Sequence, residues 1–154
     1  MYSCGNIVAI SQLALKVYTA YKSAPGDYKH VAEEVDSLRV MINTAEKHLR
    51  STTLNNSDLQ DGQKVFQGCQ SILEDLNSLL QKYKSLPFTK KRLAFQRVML
   101  GREDITTLRA RLISNATSLS SFIRRFDIQV LLLLFSKYAN ISILAVSTLR
   151  YRQS

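Results

Sequence analysis

The chain has 154 residues, 45% of them apolar and 21% charged, with five Gly and two Pro. That length and balance exclude a disordered chain and two full domains, and the scarce Gly and Pro argue against many short strands. The net charge of +9 lies wholly in the second half: residues 1–84 hold nine basic and nine acidic side chains, residues 85–154 twelve and three. Such asymmetry fits an anionic partner, a membrane surface or nucleic acid, and equally fits solvated basic helix faces.

The opening MYSCGNIVAISQLALK lacks a charged n-region and a cleavage site, so no signal peptide is expected, and Cys4 and Cys69 fit a reducing, cytoplasmic setting. Without export, the sequons at Asn55, Asn115 and Asn140 read as coincidence. A first helix is predicted from an N-cap at Asn6 to Lys22, with Ile7, Ile10, Leu13, Ala14, Val17 and Tyr21 on one face. Pro25 and Gly26 end it, and Asp27 caps a second helix over 27–50. There Val31, Val35, Leu38, Ile42, Ala45 and Leu49 step by four and three, a coiled-coil-like seam that suits near-aligned packing.

A third helix is expected from Ser57, at capping-box spacing from Gln60, to Lys84, with Leu59, Phe66, Cys69, Leu73, Leu76, Leu80 and Tyr83 on its seam. Gly62 and Gly68 inside it mark either close helix approach or tolerated defects. Cys69, among apolar positions, reads as a small core residue. TKKRLAFQRVML then reads as a short basic helix ending at Gly101, and a fourth long helix runs from Arg102 to Asp127. Its seam is Ile105, Leu108, Leu112, Ala116, Leu119, Ile123 and Phe126. The fold class is all-α: an up-and-down bundle of four to five helices over 1–127, short connections making antiparallel neighbours, followed by an apolar C-terminal helix over 128–154.

Chemistry is scarce. No phosphate-binding GxxxxGK[ST] loop occurs, and a lone Gly101 before a helix is too little for an anion site. His30 and His48 stand too far apart for a helical zinc pair and read as surface residues. The carboxylate pairs Glu33/Glu34, Glu74/Asp75 and Glu103/Asp104 are adjacent in sequence and diverge around a helix. Neither an enzyme nor a cofactor, metal or small-molecule substrate is expected. The basic patch Lys90, Lys91, Arg92, Arg97 and Arg102 lacks aromatic platforms and a helix-turn-helix signature, which disfavours nucleic acid; an anionic membrane suits the same charges.

Three phrases together, LALKVYTAYKSAPGDYKHVAEEVDSLR (13–39), GCQSILEDLNSLLQKYKSL (68–86) and GREDITTLRARLISNATSLSSF (101–122), resemble the fungal N-terminal domain of STAND-type signalling proteins, a HeLo-like helical bundle family. The similarity runs over residues 5–127 and rests on packing motifs. It implies a non-enzymatic effector or adaptor domain in non-self recognition or programmed cell death, acting by oligomerisation and membrane perturbation, with a homotypic or STAND-protein partner. It also places a membrane-inserting first helix at Ile7–Leu15, where Lys16 and the core-like periodicity argue for packing instead. Beyond Asp127 the chain departs from the family's polar, charged continuation.

That departure leaves two expectations for the C-terminal stretch. Residues 128–149 are long enough to cross a bilayer, and twelve Leu, Ile, Val or Phe contribute roughly −4 to −7 kcal/mol toward insertion. Lys137 near the middle costs about 2.5–3.5 kcal/mol and Ser136, Asn140 and Ser142 add to it, leaving a sum near zero. As a soluble fifth helix, Ile128, Leu132, Phe135, Ala139, Ile143 and Val146 would form the core stripe, with Leu131, Leu133 and Leu134 overfilling it. Arg124, Arg125, Leu131, Leu132, Leu133, Leu134 and Phe135 are the membrane-association candidates, the cytoplasmic chain being recruited to lipid through them.

Overall fold

The computed structural model describes the backbone of residues 4–23, 28–51, 53–84 and 105–152, and side chains only within residues 6–143 of these. Four helices pack together: α1 (Cys4–Lys22), α2 (Tyr28–Ser51), α3 (Asn56–Lys84) and α4 (Ile105–Arg152). No strand occurs among the described residues. The all-α bundle is therefore the architecture. The expected basic helix before Gly101, the Asp27 cap and the patch from Lys90 to Arg102 lie outside the described residues.

Contacts between the helices fix their directions. Ser11 on α1 donates to Asn43 on α2 at 2.6 Å, so these two run antiparallel. Tyr21, near the end of α1, donates its hydroxyl to the Leu76 carbonyl near the end of α3, so α1 and α3 run the same way. Helix α4 begins beside Glu34 and Asp75 and passes Asp61 and His48 later, parallel to α2 and antiparallel to α3. The extensive contacts are α1 with α2 and α3, and α4 with α2 and α3. So α2 and α3, joined by the short link at 52–55, sit on a diagonal and are not the neighbours that loop length alone predicts.

The core follows the predicted seams with informative exceptions. Ile7, Ile10, Ala14, Val17 and Tyr21 of α1, then Val31, Val35, Leu38, Ile42 and Ala45 of α2, are buried. Ile7 to Leu15 thus presents a core face, and the helix starts at Cys4, placing Asn6 inside it rather than at its cap. On α3, Phe66, Cys69, Ile72, Leu73, Leu76 and Leu80 are buried while Leu59 is 39% exposed. Its cap is Asn55, not Ser57: the Asn55 Oδ1 accepts from the Asp58 N–H at 2.8 Å, satisfying an end donor.

On α4 the seam is turned by one residue from expectation. Leu108, Leu112, Leu119, Phe122 and Phe126 are buried, whereas Ala116 and Ile123 are only partly covered. Phe122 takes the core place because α3 offers a gap at Gly62, and the ring stands edge-on to Phe66 and to Phe126, centroids 6.2 and 4.7 Å away. A Cβ on Gly62 would lie 2.7 Å from the Phe122 ring, and one on Gly68 would strike the Asn115 side-chain oxygen. Both glycines are close-approach positions.

Candidate functional site

Helix α4 does not stop at Asp127. It continues unbroken to Arg152, so the expected boundary between a bundle helix and a separate C-terminal helix is absent from the backbone. No Gly or Pro lies between Arg102 and Ser154 to interrupt it.

Up to Asp127, α4 is clamped by charge. Arg109 Nε and Nη2 both donate to Glu34 Oε1, at 2.9 and 2.7 Å. Arg111 reaches Asp75 at 2.6 Å, and Arg125 reaches Asp61 at 2.9 Å. His48 of α2, with a side chain 30% exposed, stands 3.7 Å from Asp127. The hydrogen bond from Arg125, with the Arg125 and Lys64 charges, holds the Asp61 carboxyl below its ordinary range. Part of the basic excess of the second half is thus complemented by acidic residues of the first. Arg109, Arg111 and Arg125 face partners within the fold.

Past Asp127 the surroundings vanish. Ile128, Leu131, Leu132, Leu133, Leu134, Phe135, Tyr138, Ile141 and Ile143 are all exposed, Phe135 at 69% and Leu132 at 62%. The stripe expected to serve a soluble fifth helix, from Ile128 through Leu132 and Phe135 to Ile143, finds no cover among the described residues. Among those residues α4 alone is long and apolar enough to cross a membrane, and only 6% of its most apolar stretch is buried, unlike a core helix. An uncovered apolar surface of this extent is the mark of an interaction site.

The helix also exchanges faces at Asp127. The bundle-facing seam Leu108, Leu112, Asn115, Leu119, Phe122 and Phe126 advances in alternating steps of four and three residues. Extended at the same rhythm, it becomes Gln129, Leu133, Ser136 and Asn140, with Lys137 beside it. The opposite ridge is Ala110, Ser114, Thr117, Ser121 and Arg124, all exposed, and continues as Ile128, Leu131, Phe135 and Tyr138. The bundle-facing ridge is thus apolar before Asp127 and mixed afterwards, where Gln129, Ser136, Lys137 and Asn140 stand among Val130, Leu133 and Ile141, while the opposite ridge turns from polar to mostly apolar.

Of the membrane-association candidates, the structure brings Leu131 to Phe135 onto one exposed segment, with Arg124 at its upper edge on the apolar side. Arg125 is instead turned to Asp61 and over the Phe122 ring, 5.5 Å from its centroid. Ile128, Tyr138 and Ile141 belong to the same exposed segment and were missing from the sequence candidates; the place of Ile128 and Tyr138 on the Arg124 side of the helix could have signalled those two.

Two concavities complete the surface. A groove of about 460 Å3 between α2 and α4 is lined by small side chains, Ser37, Ala116 and Ser120 among them, with Glu34 and Arg124 also on its walls. A cavity of about 120 Å3 lies where α4 leaves the bundle, between Ile7, Leu49, Leu54, Phe66 and Phe122. No group of three or more His, Cys, Asp or Glu with metal-holding geometry occurs among the described residues. Cys69 is buried, and burial pushes its thiol up to about 12.

Compared with protein-family models, with curated proteins and with solved structures, the chain matches none.

Proposed function

We propose that this chain is a non-enzymatic helical-bundle effector or adaptor that acts by contact and is carried to a lipid membrane by the apolar extension of α4. The exposure of Ile128 to Ile143 on a helix otherwise clamped into the bundle is the observation that carries it. Water penalises that surface by roughly 25 cal/mol per Å2, and neither α1, α2 nor α3 covers it. The charges agree: residues 123–154 hold five Lys or Arg and one Asp, a net +4 that favours an anionic surface. The resemblance to HeLo-like fungal signalling domains supplies the setting, a cytoplasmic signalling or cell-death module with homotypic or STAND-protein partners.

Sedimentation of the full chain with phosphatidylcholine–phosphatidylserine vesicles tests the proposal. The wild type is expected to sediment with them, and a Leu131→Gln/Leu134→Gln/Phe135→Gln variant to remain in solution. If the wild type stays in the supernatant, the membrane role is lost.

The alternative is an adaptor that docks a protein partner without lipid. The α2–α4 groove favours it, because Glu34 Oε2 there is buried and has no hydrogen-bond partner. On that reading, an Ala116→Trp variant that fills the groove abolishes partner capture and leaves vesicle binding intact.

A further inference from the structure

We infer that the extension of α4 lies flat in one leaflet, parallel to the membrane surface, with the bundle above it on the water side, and does not cross the bilayer. The inference rests on the membrane reading and adds orientation to it. A spanning helix surrounds all its sides with lipid, so the rotational placement of its polar residues relative to the bundle has no consequence. A helix lying in the interface needs its polar side on the same side as any attached soluble domain.

That condition is met here. Gln129, Ser136 and Asn140 extend the ridge that carries Phe122 and Phe126, so they point to the side on which the bundle stands. Lys137 adjoins them. Ile128, Leu131, Phe135 and Tyr138 extend the exposed ridge of Thr117, Ser121 and Arg124, which forms the outer rim of the α2–α4 groove and itself carries no acidic residue. With that ridge down, the apolar side chains enter the acyl region and Arg124 meets the headgroups beside them. Val130 and Leu133, with Ile141 beside Lys137, are the apolar residues left toward the upper side, and Ser142 is the polar residue on the lower ridge, its hydroxyl donating to the Tyr138 carbonyl.

The energies point the same way. Spanning places Lys137, Asn140 and Ser136 within hydrocarbon and nearly cancels the gain from the apolar run. Lying flat keeps all three in water or among headgroups while burying most of the apolar arc. Long cationic side chains such as Arg124 suit that boundary, stem in the apolar layer and charge among the phosphates.

The test uses the full chain carrying Cys4→Ser. Cys69 is buried, which leaves one introduced cysteine at a time open to labelling. Gln129→Cys, Leu131→Cys, Phe135→Cys, Ser136→Cys, Tyr138→Cys and Asn140→Cys receive a polarity-sensitive fluorophore and are bound to the phosphatidylcholine–phosphatidylserine vesicles. Flat binding predicts quenching by aqueous iodide at 129, 136 and 140, and by lipid-borne nitroxide at 131, 135 and 138. Depth that changes steadily along the chain, whichever side a residue occupies, overturns the flat arrangement and leaves membrane binding standing. Absence of vesicle binding overturns both.

Lys137→Leu gives a second readout of opposite sign. For a flat helix, losing a headgroup-facing charge leaves vesicle affinity unchanged or up to about fivefold weaker. A gain of roughly a hundredfold, as expected for relieving a charge at mid-bilayer, overturns the inference.

Discussion

Gly62 of α3 and the Phe122 ring of α4 occupy adjoining space so completely that a methyl group on Gly62 would come within 2.7 Å of the ring. The glycine therefore sets how deeply α4 seats against α3. Gly62→Ala gains up to about 1 kcal/mol of helix propensity but forces a buried aromatic ring off its site, at about 1–3 kcal/mol. We expect net destabilisation of about 1–2 kcal/mol in denaturant titrations. Gly68→Ala meets only the tip of the Asn115 amide, which can rotate, so its effect should be near neutral or stabilising.

Glu34 and Arg109 form the cross-helix pair at the opposite end of α4, where one carboxylate oxygen takes both guanidinium donors. Removing the arginine leaves a mostly covered carboxylate short of its partner, whereas removing both ends relieves that cost. Arg109→Ala should lose about 1–2 kcal/mol, and Glu34→Gln in the same chain should return part of it. A double-mutant cycle by thermal or chemical unfolding measures the coupling; strict additivity would show that the pair contributes nothing.

These two sites show how far pattern carried the fold. Steps of four and three in α2 named its core because a helix seam repeats whatever its partner: Val31, Val35, Leu38, Ile42 and Ala45 are all buried, and Leu49 at the end of the seam is partly so. The same rhythm in α4 admits two adjacent seams, and the choice between Ala116/Ile123 and Asn115/Phe122 rests with the glycine gap on α3. Loop length could not reveal that α2 and α3 lie diagonally, because a four-residue link spans either arrangement. Exposure beyond Asp127 was beyond reach for a related reason: periodicity says which residues share a face, not whether another helix meets it. The exchange of apolar and polar ridges at Asp127 was written in the residues and needed only the observed continuity of α4 to be recognised.

Alkali should unfold the bundle earlier than acid chemistry at its surface would suggest. Burial raises the Cys69 thiol from 9.0 to about 12, and it also raises the Tyr21 hydroxyl, with the Tyr28 charge adding to it. Groups with folded pKa values above their unfolded ones contribute stability that is complete below the unfolded pKa and is lost as pH rises through the folded one. Denaturation midpoints should be level to about pH 8.5 and fall progressively above it, and Cys69→Ala should flatten part of that slope. Cys69 should also resist thiol reagents in the folded protein at neutral pH, reacting at the rate of unfolding.

Arg124 and Arg125 are neighbours in sequence with different tasks. Arg125 is held by Asp61, and Arg124 stands on the exposed outer ridge next to Ile128. Arg124→Gln should therefore weaken binding to anionic vesicles about fivefold at low salt and leave the unfolding midpoint unchanged. Arg125→Gln should lower the unfolding midpoint and raise the Asp61 pKa toward the ordinary carboxylate value, with a smaller effect on vesicles. Equal effects of the two substitutions on both measurements would contradict this division.

The exposed extension should be separable from folding altogether. Leu132 and Phe135 have most of their surface in water, so replacing both with Gln removes no core packing and creates no cavity. Surface changes of that kind stay within about 0.5 kcal/mol, and both residues lie on a helix that Gln continues readily. The Leu132→Gln/Phe135→Gln chain should thus unfold at the wild-type denaturant midpoint while remaining soluble at concentrations where the wild type associates. Light scattering and a denaturant titration on the same sample decide the point. A large fall in the midpoint would mean that the extension packs on the bundle in solution, and the apolar surface would then belong to the core rather than to a membrane.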